Sequence, residues 1–121
     1  MLRFQLDPTT RILEIEPQGK LEKKDFESLA AAVDPLIAEK GSLAGILVKA
    51  KSFPGWSDFG AFTSHLRFVG GHHEKVRRIA VATDSKFGTL AERFAKHFVS
   101  AEIRSFPFAK EAEARQWLAA P

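Results

Sequence analysis

Leu2, Phe4 and Leu6 alternate with Arg3 and Gln5, the two-residue period of a strand with one face buried. Asp7-Pro8-Thr9-Thr10 supplies turn chemistry, and Ile12 to Glu16 reads as a second strand, so the chain is expected to open with an antiparallel hairpin. The period then changes. Between Lys20 and Lys40, Phe26, Leu29, Val33, Leu36 and Ile37 recur at helical spacing, and Gly41 is placed to stop the helix. Asp34-Pro35 inside this run predicts either a kink or a restart with Asp34 as cap. Gly45 to Ala50 is a short unbroken apolar run, the pattern of a strand covered on both faces.

Beyond that strand, Phe59, Phe62, Leu66 and Val69 line one stripe of a second helix, which Gly70-Gly71 is expected to end. A buried strand over Arg78 to Ala82 follows, then a Thr83-Asp84-Ser85 loop and a third helix carrying Phe87, Leu90, Phe94 and Phe98. Glu102 to Phe106 reads as a last strand. Ala109 to Ala119 reads as a closing helix with Ala114, Trp117 and Leu118 inward. Helices alternating with strands require parallel pairing through crossovers, so the expected architecture is α/β with a mixed sheet.

The loop Ser52-Phe53-Pro54-Gly55-Trp56 joins the middle strand to the second helix. It places two aromatic residues beyond the carboxyl end of a strand, where open α/β sheets hold their ligands. Phe53, Trp56, Phe59, Phe62 and Leu66 would form an aromatic wall if this loop folds over the helix. Phe62 and Leu66 have the spacing of core residues. Phe53 and Trp56, in a loop, need a specific partner surface and are assigned to a ligand pocket or an interface.

At 121 residues the chain has the size of a single domain, residues 1–121, and can bury one core. It has no cysteine, which excludes disulfides, thiolate metal sites and a cysteine nucleophile. Its 11 phenylalanines, two tryptophans and no tyrosine point to a large apolar core or an apolar pocket. A net charge of +3 is spread over interspersed charges, and without a long basic tract no nucleic-acid partner is expected. The longest apolar runs fall far short of the roughly 20 residues that span a bilayer, and no signal segment is recognised. The expected location is the cytoplasm.

Candidate chemistry is sparse. No two of His65, His72, His73 and His97 share the i, i+4 spacing of two-histidine metal sites, so they are read as solvated residues and no metal is expected. Asp84-Ser85 follows a strand, but no Gly-x-Ser-x-Gly elbow occurs, so an enzyme using Asp84 or a histidine is the weakest reading. Lys49, Lys51, Lys75, Arg77, Arg78 and Lys86 cluster near strand ends. They are read as a solvated rim, with Lys49 and Lys51 as candidate anion contacts. Ser57 precedes the second helix and is read as its N-cap.

Taken together, the element order and the words GILVKAKSFPGW, RRIAVATDSKFG and AEIRSFPFAKEAEARQWL resemble the SpoIIAA-like proteins, small stand-alone relatives of the STAS domain. The resemblance implies a STAS-like mixed sheet of about five strands with an N-terminal antiparallel hairpin, flanked by about four helices. It also implies a non-enzymatic binding or regulatory role without a cofactor, and some members look like carriers or sensors of apolar, lipid-like molecules. The antagonist branch of the family carries a phosphorylatable serine, preceded by aspartate, in the loop after the middle strand. Here that loop holds Ser52 and Ser57 and no Asp-Ser pair, which favours an apolar ligand over a phosphorylation switch. The alternative is a partner-switching protein that contacts another protein and is phosphorylated at Ser52 or Ser57. A homodimer is a further expectation, since a phenylalanine-rich helix would otherwise face water.

Overall fold

A computed structural model of the chain describes residues 1–53, 55–56, 58–86 and 99–121; the side chains of Phe59 and Phe62 also lie outside the description. The helix expected over Phe87 to Phe98 falls outside these residues. The strands β1 (Leu2–Asp7) and β2 (Ile12–Pro17) form the expected antiparallel hairpin, with Phe4 opposite Ile15. Asp7 shapes its turn, because Oδ1 accepts from the backbone N–H of Thr9 at 2.8 Å and of Thr10 at 3.2 Å. Those two donors hold the Asp7 carboxyl below its ordinary pKa. The helix α1 (Lys23–Lys40) leads to β3 (Leu43–Lys49), and α2 (Phe59–His72) to β4 (Val76–Ala82). The chain ends with β5 (Glu102–Phe106) and α3 (Glu111–Ala119).

The sheet runs in the order β1-β2-β3-β4-β5, with β2 to β5 parallel. It is the mixed five-stranded sheet expected, flanked among the described residues by three helices. On one face Phe26, Leu29, Val33 and Leu36 of α1 pack over Leu13, Ile15 and Ile46, with Phe68 of α2 and Ile79 against them. On the other, Ala114 and Leu118 of α3 cover Leu47, Ala80 and Phe106. Alternate side chains of the central strands thus enter different cores, which is why Gly45 to Val48 has no polar phase. Trp117 also joins the second core, completing the inward set expected of the last helix.

Two helix ends differ from expectation. Pro35 lies inside an unbroken α1, and Asp34 caps nothing. The N-terminus is held instead at Asp25, a buried carboxylate whose Oδ2 accepts from the Glu22 N–H at 2.8 Å. Gly41, with φ of +91°, ends α1 as expected, donating to the Ile37 carbonyl at 2.7 Å. Gly70-Gly71 does not end α2, which continues to His72 and a 3-10 turn at His73–Lys75. The His72 ring explains the extra turn, since its Nδ1 lies 2.7 Å from the Phe68 carbonyl oxygen one turn back.

Candidate functional site

The loop after β3 is tied down on two sides. The Ala50 N–H donates to the Ala82 carbonyl at 3.0 Å, and the Lys51 carbonyl accepts from the Asp84 N–H at 3.0 Å, so the loop is anchored to the end of β4. Further on, the Gly55 carbonyl accepts from the Leu21 N–H at 2.8 Å, and Trp56 pairs with Leu21 in an isolated parallel bridge. This brings the loop alongside the entry to α1. Gly55 holds φ of +85°, in the left-handed region that glycine enters without steric cost.

From this anchored loop a row of rings runs along the seam between α1 and α2. Phe53 and Trp56 meet edge to face with centroids 4.9 Å apart. The Trp56 indole N–H donates to His65 Nδ1 at 3.1 Å. The His65 ring stacks on Phe26 of α1 at 4.8 Å with a 16° interplanar angle. Phe26 meets Phe68 at 6.3 Å, and Phe68 stacks on His72 at 4.2 Å. The row ends in a polar contact, His72 Nε2 to Asp34 Oδ1 of α1 at 2.7 Å. Positions 65, 68 and 72 follow the three-and-four spacing of one helix face, so a single face of α2 supplies three members of the row.

Burial pushes the His65 imidazole below the ordinary histidine pKa, because the charged form loses its hydration there. None of the described histidines is a solvated loop residue. His65 and His72 belong to the seam, and His73 Nδ1 accepts from the Ser100 N–H at 3.0 Å; His97 lies outside the described residues. The error arose because no spacing rule foretells which side chains a histidine will meet across a helix pair. That Phe53 and Trp56 stand together in the loop was legible in the sequence, whereas Phe26, His65, Phe68 and His72 as their continuation were not. Among the described residues no group of three His, Asp or Glu side chains stands together as a metal site.

The remaining candidates are placed as follows. Leu66 is 54% exposed on the outer side of α2, so its assignment to the core is corrected. Ser52 is exposed. The N-cap of α2 is Asp58, whose Oδ1 accepts from the Ala61 N–H at 2.8 Å, and not Ser57, which lies outside the described residues. A carboxylate caps as well as a hydroxyl, so the adjacent position took the role. Lys51 is exposed at the loop. Lys49 lies 4.0 Å from Glu16 and 3.8 Å from Glu111, with its charge matched on the α3 side of the sheet. Arg78, read as rim, is largely enclosed beneath α3.

Two open clefts lie away from the aromatic row. One of about 350 Å³ is lined by Thr83, Asp84, Ser85, Ser105 and Phe106 at the carboxyl ends of β4 and β5. The other, about 250 Å³, is lined by Gln5, Asp7, Thr10, Glu14 and Arg115. The row itself is a closed seam of ring against ring. No helix of the described residues is long and apolar enough to cross a membrane.

The chain has no match among the curated proteins. Among solved structures it is similar to an uncharacterised protein with a SpoIIAA-like fold from Shewanella loihica PV-4, at 20% identity and a TM-score of 0.77, over 97% of this chain and 93% of that one. The SpoIIAA-like family model matches residues 12–119, from the first residue of β2 to the last of α3. With a match over nearly its whole length and the mixed sheet and hairpin of that fold, the chain belongs to the SpoIIAA-like family.

Proposed function

We propose that this chain is a non-catalytic STAS-like binding or regulatory domain whose ligand is a small apolar or lipid-like molecule, received between the Phe53–Trp56 loop and α2. The observation that carries this reading is the composition of the seam. α2 meets α1 through Phe26, His65 and Phe68 with a polar anchor at His72–Asp34, and it meets the loop through the Trp56–His65 hydrogen bond. Moving α2 aside would open a wall of ring faces suited to an acyl chain or another flat apolar group. Lys51, exposed at the same loop, is placed to meet an anionic head group. An apolar ligand in this seam displaces Trp56 from His65 and changes its fluorescence. Titration with a panel of fatty acids and uncharged lipids is expected to shift Trp56 emission saturably in the native chain, and calorimetric binding of the same lipids is expected to be lost in Trp56→Ala. No response across the panel would sink the proposal.

A second reading, partner switching through the same loop, draws on the exposure of Ser52. At Ser57 a phosphate would stand beside the Asp58 carboxylate that already caps α2, a like-charge contact that disfavours it. Native mass spectrometry of freshly purified protein separates the two readings. A retained lipid supports the first, and a phosphate adduct the second.

A further inference from the structure

Two histidines on one face of α2 make opposite demands on a proton. His65 accepts the Trp56 indole N–H at Nδ1, so its own proton sits on Nε2 and the ring is neutral in this arrangement. A proton added at Nδ1 would oppose donor to donor and leave a charge with little hydration between the loop and two helices. His72, two turns later, has oxygen acceptors at both nitrogens, the Phe68 carbonyl and Asp34 Oδ1, each at 2.7 Å. Only the imidazolium donates to both.

The charged groups on the elements around His65 are Glu22, Lys23, Asp25 and Glu27 of α1 and its entry, Lys51 of the loop, and Asp58 and Arg67 of α2. The nearest carboxylates by position are already engaged. Asp25 accepts from the Glu22 N–H and lies 3.6 Å from the Met1 ammonium, and Asp58 accepts from Ala61. Around His72 the charged groups are Asp34 on α1 and His73, Glu74 and Lys75 in the following turn, with Asp34 in direct contact.

We propose that α2 and the aromatic loop form an acid-operated gate: protonation of His65 breaks its bond with Trp56 and releases the loop from the first half of α2, while the His72–Asp34 contact remains as the pivot on α1. The proposal rests on the seam being the entrance to the ligand site and describes how that entrance is regulated. The sign follows from the burial that lowers the His65 pKa. The closed seam is fully favoured above the ordinary histidine value of 6.5, and is progressively lost as pH falls below it toward the lower folded value.

The test uses the full chain carrying Trp117→Phe, which leaves Trp56 as the sole indole, with proton NMR of both indoles in the native chain as the check should that variant not fold. Between about pH 7.5 and about pH 5.5, the range in which histidine changes charge, Trp56 emission is expected to move to the red and its indole proton upfield, reversibly and with a midpoint below 6.5. In His65→Asn, which offers an acceptor but does not titrate, the step should vanish. In His72→Gln the acid step should bring a loss of helical circular dichroism that the native chain does not show. A step that persists in His65→Asn, or no step at all, overturns the gate, and identical native and His72→Gln traces overturn the pivot. Uptake of the uncharged dye N-phenyl-1-naphthylamine is expected to rise several-fold on acidification. A His65-dependent step without dye uptake at either pH removes the ligand reading and leaves the gate. Uptake without a step does the reverse.

Discussion

Arg78 shows how far one side chain can travel from its apparent role. Its Nη1 donates to the Trp117 carbonyl at 2.7 Å and the Ala120 carbonyl at 3.0 Å, and its guanidinium lies 5.1 Å from the centre of the Trp117 ring. A cation at the carboxyl end of α3 satisfies terminal carbonyls and complements the helix dipole. Its Nε is buried without a hydrogen-bond partner, 3.8 Å from Glu102, so the residue is held by one end of its fork. Charge-assisted hydrogen bonds contribute roughly 1.5–3 kcal/mol, and Arg78→Met is expected to lower stability by about that amount in urea denaturation; an unchanged midpoint would refute the latch. Gly45 acts through absence. A Cβ there would lie 2.9 Å from Leu118 Cδ2 and 3.4 Å from the Arg78 carbonyl, and Leu118 is 1% exposed with little room to yield. Gly45→Val should therefore cost about 1–3 kcal/mol by overpacking, measured in the same experiment. Alternation along β3 marks position 45 as buried but says nothing of a helix arriving from 73 residues later in the chain.

At the scale of elements, the existence of α1, α2 and α3 was legible, as was the stop of α1 at Gly41, but the start of α1 and the end of α2 were not. The stripe Phe26, Leu29, Val33, Leu36 identifies α1, and all four are buried. Its start at Lys23, held by the Asp25 carboxylate on the Glu22 N–H, depends on a hydrogen bond that spacing does not reveal. The end of α2 lies past Gly70-Gly71 because His72 binds both the Phe68 carbonyl and Asp34, a contact that offsets the roughly 1 kcal/mol cost of each helical glycine. The cap at the other end gives a clean contrast. Asp58→Ala should destabilise by about 0.5–2 kcal/mol and shift Trp56 emission, whereas Ser57→Ala should change neither; thermal melts followed by Trp56 fluorescence compare them, and a reversed order would return the cap to Ser57.

For the whole molecule, the polar side of the hairpin and α3 meet through charge. Arg115 of α3 bonds Glu14 of β2 and, at 2.9 Å, Glu111 one turn away, and these carboxylates raise its pKa against the effect of burial. The aromatic helix α2, by contrast, leaves Leu66 exposed on its outer side. The homodimer expected from such a helix is tested by sedimentation at several concentrations. A dimer that Leu66→Glu dissociates supports it, and a monomer throughout removes it.

The order of the described strands and helices, the hairpin and the two-sided burial of the central strands were determined by the sequence alone, because each is written in local period and turn chemistry. Tertiary structure alone decided what the Phe53–Trp56 loop touches. His65 and Phe26 are 39 positions apart, and only the packing of α2 on α1 makes them one surface. The same packing made His65 the acceptor of the Trp56 indole and set His72 between two oxygen atoms, since a histidine's partners are assigned by the atoms that face its two nitrogens.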